Sequence, residues 1–260
     1  MRFKIVLFVN TGIHGNVLPI SYQHALAETV HYLLGENKEN YQKWLNDNSL
    51  PIEENYKFNL FSISNLYVPR LFVQRDRMTI IVPRIQFWIS FHHKNFTEEF
   101  LNNALLNKEF EIGDAKSSVN FKIESISQVS DINYSETMQY QTIAPVTVAA
   151  VDDYGKLQYL APENSYFFSF IFDDLVEKWE NINKMPFDGI KDYSFRLLAP
   201  PKRKSCENKS LEDKTDKIIS YMMKFEVSMD FRLQELAYNL GIGDKIAEGY
   251  GYIELLHKKK

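Results

Sequence analysis

Cysteine is almost missing from this chain of 260 residues. A single one, Cys206, excludes an intramolecular disulfide framework and any zinc site built from several thiolates. It lies among lysines in KRKSCENK with no histidine near it in sequence, and so reads as a solvated loop thiol. Long apolar runs are missing too. No stretch reaches the roughly 18 to 20 uninterrupted apolar residues of a membrane span, and the opening MRFKIVLFVN meets polar residues too soon for a signal peptide. The expectation is a cytoplasmic protein with no membrane partner. There is no excess of positive charge, since Lys and Arg number 30 against 34 Asp and Glu, a formal net charge of −4. That balance argues against a uniformly basic nucleic-acid-binding surface but is compatible with a local basic groove, which phosphate contacts require. Glycine is scarce, with ten in all, yet Gly241, Gly243, Gly249 and Gly251 fall within eleven residues. Backbone there must turn tightly or come very close to something else.

What the chain does have is enough apolar residue, 45%, to bury one large core or two. Residues 2–9, RFKIVLFV, alternate like a strand, and SYQHALAETVHYLLG after Pro19 has helical spacing up to Gly35. A shorter helix, KENYQKWLND, follows. Then YKFNLFSIS, a hairpin in LYVPRLFVQRDRMTIIV, and IQFWISF read as strands. Asn95 with Glu98 gives a capping-box-like start to the helix TEEFLNNALLN, and FEIG and VNFKIESISQV return to strand. The polar SDINYSETMQYQ places a domain junction near 128–141. The pattern then repeats. TIAPVTVAAV is a strand, ENSYFFSFIFDDLVEKWENI a helix, and KDYSFRLLAPPKRK and KIISYMMKFEVSM strands around a charged loop. FRLQELAYNLG is the last helix and GYGYIELL the last strand. The order implies an α+β chain of two tandem ferredoxin-like, RRM-like domains, 1–130 and 138–260.

The context of the glycines narrows their meaning. A dinucleotide-binding G-x-G-x-x-G follows a strand and opens a helix, and a Walker loop ends in Gly-Lys-Ser/Thr. Here the helix comes first and the strand after. Gly241 suits a left-handed C′ position closing that helix, which leaves three glycines to explain. Helix, G-x-G, a short polar or basic stretch, G-x-G and a terminal strand, as in LGIGDKIAEGYGYIEL, resembles the C-terminal glycine-rich loop of the RAMP superfamily of CRISPR-associated proteins. It is most similar to the repeat-processing endoribonucleases among them, the sixth Cas family. MRFKIVLFV with PISYQHALAETVHYLL resembles that family's opening strand and first helix, TIAPVTVAA its strand opening the second half, and LLAPPKRK its basic strand end before the last hairpin.

The resemblance implies an RNase A-like reaction. The 2′-hydroxyl before the cut attacks the phosphate in line without a metal or other cofactor, giving a 2′,3′-cyclic phosphate and a 5′-hydroxyl. Such chemistry needs a base, an acid, and a cation or donor for the charged transition state. Many members use a tyrosine on the first helix, a histidine on the second and a later lysine. This chain departs from that set. The first-helix position falls at His31, with Tyr32 beside it, and the second-helix position falls at about Asn46, which cannot act as a base.

The first helix offers a replacement. Leu26, Val30, Leu33 and Leu34 define its apolar stripe, and His24 and His31 are expected on the opposite face with Glu28 between them. The candidate catalytic residues are therefore His31, His24, Tyr32 and, as transition-state cation, Lys43. His14, in the loop NTGIHGN, is a further candidate, Tyr22 reads as packed, and the adjacent His92 and His93 point different ways. No H-E-x-x-H, cysteine pair or acidic cluster has metal-ligand spacing.

The implied partner is CRISPR repeat RNA, the pre-crRNA. Its expected contacts are Gly241, Gly243, Lys245, Gly249 and Gly251 in the loop, Lys202, Arg203 and Lys204 in PPKRK, and Arg75 and Arg77 from the set Arg70, Arg75, Arg77, Arg84. Two other readings stay open at this stage: a catalytically silent repeat-RNA-binding member, and a structural RAMP subunit contacting other Cas proteins of an effector complex. A homodimer also stays open.

Overall fold

The computed structural model describes residues 1–35, 61–92, 97–152, 154–209 and 215–256. Two compact units divide it, Met1–Asp131 with Ala247–Gly249, and Ile132–Ile246 with Tyr250–Lys260.

In the first unit, β1 (Arg2–Asn10) turns Phe3, Ile5, Leu7 and Val9 inward, the two-residue period of a half-buried strand. The path continues through α1 (Thr11–His14), β2 (Val17–Pro19), α2 (Gln23–Gly35), β3 (Phe61–Ile63), β4 (Leu71–Gln74) and β5 (Arg77–Ile80). It closes with β6 (Arg84–Phe91), α3 (Glu98–Leu105), β7 (Glu109–Gly113) and β8 (Ser118–Val129). The main sheet has the order β3-β6-β1-β8-β7 with antiparallel neighbours. Reading β1, α2, β3, β6, α3, β8 gives βαββαβ with spatial order 2-3-1-4, the ferredoxin-like arrangement, with β7 added at the edge. A separate sheet, β2-β5-β4, lies outside it in the path. Asn95 falls outside the described residues, and Thr97 caps α3 instead, its hydroxyl accepting from Phe100 N at 3.2 Å. The second-helix reading around KENYQKWLND, with Lys43 and Asn46, also falls outside the described residues.

The second unit runs β9 (Thr137–Thr142), β10 (Ala149–Val151), β11 (Leu157–Tyr159), α4 (Phe167–Asn183), β12 (Ser194–Leu197) and β13 (Lys202–Lys209). Then come β14 (Thr215–Met222), β15 (Lys224–Ser228), α5 (Phe231–Leu240) and β16 (Ile253–Leu255). Its sheet order β12-β15-β9-β16 is again 2-3-1-4.

Three sequence expectations need correction here. The polar stretch read as part of a linker contains β9, whose Met138, Tyr140 and Thr142 are buried at alternate positions. Within TIAPVTVAAV only Thr142, the last residue of β9, and Ala149–Val151 belong to named strands. The charged loop is largely strand, because β13 and β14 form a hairpin inserted between β12 and β15, with Cys206 on β13 opposite Ile218. Tyr140 can be buried in the core because its hydroxyl donates to Gln234 Oε1 at 3.1 Å, while Gln234 Nε2 donates to the Glu136 and Val227 carbonyls.

Candidate nucleic-acid and catalytic site

Helix α2 buries Leu26, Ala27, Val30, Leu33 and Leu34. Ala27 extends the stripe toward His31, four residues on and therefore only about 40° round the helix. His31 is thus on the border of the apolar face, not opposite it. Its ring packs on Phe61 of β3, centroids 4.6 Å apart, and Nε2 lies 3.2 Å from the Ala247 carbonyl oxygen, within the first unit. A carbonyl only accepts, so Nε2 carries the hydrogen and the neutral ring holds its lone pair on Nδ1. Burial holds the imidazole pKa below its ordinary 6.5, opposed by the Ala247 hydrogen bond and the Glu28 charge.

His24 and His31 do not form one constellation with Glu28. His24 Nε2 sits 3.3 Å from the exposed Glu28 carboxylate one turn along, a surface pair, while His31 turns to Phe61 and Ala247. Tyr32 is 67% exposed. His14 is on the helical turn α1 and faces Glu111 at 3.0 Å, both half-exposed. Tyr22 is buried, its hydroxyl accepting from Leu66 N at 2.9 Å, and burial raises its pKa far above the ordinary value. Among the described residues no three His, Cys, Asp or Glu side chains cluster as metal ligands.

The glycine-rich loop is held by its own chain. Gly241 ends α5 with φ 83° and ψ 179°, an almost glycine-only conformation and not the left-handed one expected, and its N–H donates to Ala237 O. Ile242 N donates to Gly251 O, and Gly251 N to Pro145 O, which pinches the loop shut. A Cβ on Gly251 would stand 2.3 Å from Ile242 O, and one on Gly243 2.5 Å from Thr147 O. Gly249, also at positive φ, leaves room for the Gln23 carbonyl at the start of α2, 3.0 Å from where its Cβ would be. The close partner of these glycines is backbone, and the N–H groups of Gly241 and Gly251 are already used. Lys245, at φ 59°, precedes the 3-10 turn Ile246–Glu248 that carries Ala247.

The basic residues separate into committed and exposed. Arg77 Nη1 is 2.8 Å from Asp114 and its side chain only 17% exposed, so it braces the fold and is withdrawn from the phosphate set. Arg84 is paired through two N–H groups with Glu124. Arg70, Arg75, Lys202, Arg203 and Lys204 are exposed; the last three sit on strand β13, where Lys202 and Lys204 share a face and Arg203 takes the other. Sequence reading missed Ala247, whose contribution is a backbone carbonyl with no side-chain signal. It also missed Phe61, hidden in an apolar strand.

Fold and loop together define an α+β protein of two ferredoxin-like units with a glycine-rich segment before the last strand. The family described as "CRISPR associated protein Cas6, C-terminal" matches residues 128–255, so the second half of the chain carries that family's C-terminal domain. It is 25% identical over 243 residues, 91% of this chain and 87% of the relative, to CRISPR-associated endoribonuclease Cas6 1 of Methanocaldococcus jannaschii. A structure described as a Cas6-related gene from Pyrococcus furiosus matches with TM-score 0.79 at 19% identity, covering 100% of this chain and 99% of that one. Another, described as a RAMP protein binding different RNA substrates, matches with TM-score 0.78 at 17% identity, covering 99% and 100%. The last two bear on the fold alone.

Proposed function

We propose that this chain binds CRISPR repeat RNA and cuts the precursor within the repeat by metal-independent attack of the 2′-hydroxyl. The C-terminal domain match and the likeness to a relative named an endoribonuclease support RNA cleavage. The observation that carries the mechanism is His31, half-buried against Phe61 with Nε2 directed at the Ala247 carbonyl. Its lowered pKa keeps the ring neutral near pH 7, as a general base requires.

In this reading the ring takes the proton of the 2′-hydroxyl as its oxygen attacks phosphorus. The P–O5′ bond breaks, the leaving oxygen is protonated, and the products are a 2′,3′-cyclic phosphate and a 5′-hydroxyl. Tyr32, exposed one residue along and about 100° round the helix, is the proton donor in this reading, and His24 with Glu28 flanks the strand of RNA. Lys43 supplies transition-state charge. Lys202, Arg203, Lys204 and Lys245 hold phosphates, whereas the four glycines set the loop's shape. The two domains act as residues 1–130, carrying the catalytic helix, and 138–260, carrying the loop and basic hairpin.

End-group analysis tests the chemistry. Labelled repeat RNA incubated with the protein in EDTA should give a 3′ fragment that polynucleotide kinase phosphorylates directly, and a 5′ fragment ending in a cyclic phosphate. A 5′-phosphate product, or cleavage only on adding a divalent cation, would contradict it.

A further inference from the structure

We propose that the edge strand β4 and its flanks, Arg70 to Arg75, form a contact for single-stranded RNA, in which Phe72 stacks on a base and Arg70 and Arg75 hold phosphates. This rests on the RNA-binding part of the proposed function and not on the cleavage chemistry.

β4 is the outer strand of the sheet β2-β5-β4, with β5 on one side and its other edge unpaired among the described residues. Leu71, Phe72 and Val73 are 41%, 59% and 51% exposed, so three consecutive large apolar side chains face water. Leu71 and Val73 pair with the buried Ile80 and Met78, which explains their presence as the rim of the core. Phe72 pairs with Thr79 on the other face, and packing gives no reason for it.

The charge around this aromatic selects the partner. Residues 67–84 hold four arginines and one carboxylate in a chain of net charge −4. Arg77 and Arg84 are spent on Asp114 and Glu124, whereas among the described residues Arg70 and Arg75 make no ion pair. These two bracket the strand Leu71–Gln74, one at each end, on either side of Phe72. A polyanion with flat bases satisfies both features. Another protein adding a strand does not, because charged flanks keep edges from pairing.

The hairpin tip supplies an independent observation. Arg75, first of the two turn residues between Gln74 and Arg77, is held at φ 56°, where glycine or asparagine would sit without strain. The chain places a cation at a position whose geometry favours a smaller residue, as expected where strain serves binding.

Fluorescence anisotropy with a 15-nucleotide oligouridine and with the repeat RNA, over a series of salt concentrations, tests this. Phe72→Thr, which suits a strand, should weaken binding of both RNAs about 5-fold or more. Arg75→Gly should lower the slope of log affinity against log salt by about 0.7, the value for one phosphate contact on a single strand, with Tm unchanged or raised. Arg70→Gln should repeat the slope change without touching the turn. Wild-type affinity and slope in the variants would overturn the proposal. So would a Phe72→Thr variant that alters the sedimentation of the protein alone while binding RNA like wild type, which would make β4 a contact between copies. Because binding is read directly, a wild type that binds but does not cut contradicts the catalytic reading only.

Discussion

Helices α2 and α4 occupy the same step of their βαββαβ units, each following the opening strand, yet they have been put to different uses. α4 buries Phe167, Phe168, Ile171, Phe172, Leu175 and Trp179, and its charged residues are four carboxylates and Lys178, which is paired with Asp174 at 2.6 Å. α2 buries a smaller set and leaves His31 on the border, where a carbonyl of the glycine-rich segment reaches it. One helix is a packing element with a solvated face. The other is a packing element whose margin holds a titratable ring at fixed orientation. Shared topology therefore does not predict shared chemistry; the local border of the apolar stripe does.

The contrast can be broken most severely at His31. His31→Ala should slow cleavage by about 100-fold or more, the scale of a lost general base, with repeat-RNA binding retained. Glu177→Ala, at an exposed position on α4, should leave single-turnover cleavage at the wild-type rate. Equal losses from both would show that α2 has no special role.

Next in size is the loop. Gly251→Ala forces a Cβ to 2.3 Å from Ile242 O at positive φ, and should cost about 1 to 3 kcal/mol in chemical denaturation. Gly249→Ala meets the Gln23 carbonyl at 3.0 Å and should move Ala247 from His31. The Ala247 hydrogen bond raises the His31 pKa, so its loss should shift the acid limb of the cleavage profile to lower pH as well as slow the reaction. A slower enzyme with an unmoved limb would reduce Gly249 to a structural residue.

The smallest effects separate the basic residues. Lys204→Gln should lower the salt slope of repeat-RNA binding by about 0.7 with little change in Tm. Arg77→Gln should do the reverse, lowering Tm with an unchanged slope, because its guanidinium is bound to Asp114, whose own pKa is held down by the Lys116 N–H and Arg77 against the opposing effect of burial.

The strands β1 and β6 and the helices α2, α4 and α5 were legible because each buries one face with a clean period of two or 3.6. β9 was not, although the signal was there: Met138, Tyr140 and Thr142 alternate, but the polar residues between them masked the period. The glycines were recognised as close-approach positions, while the partners they approach, Thr147, Ile242 and Gln23, are known only from the folded chain. His31 was singled out by the resemblance to the family's first helix, while its face was misread as lying opposite the apolar stripe. Its neutral state and tautomer depend on Phe61 and Ala247, which lie 30 residues downstream and near the chain's end, and no local pattern could supply them.

The central claim is that neutral His31 acts as the base, and the pH dependence of single-turnover cleavage tests it most directly. Because burial lowers its folded pKa, the neutral ring should persist as pH falls past 6.5 and be lost only as pH passes through the lower value. In EDTA with enzyme in excess, the rate should fall along an acid limb as pH is lowered from about 8 to about 5, with its midpoint below 6.5. A rate that is flat through this range, or a limb centred above pH 6.5, would contradict the account.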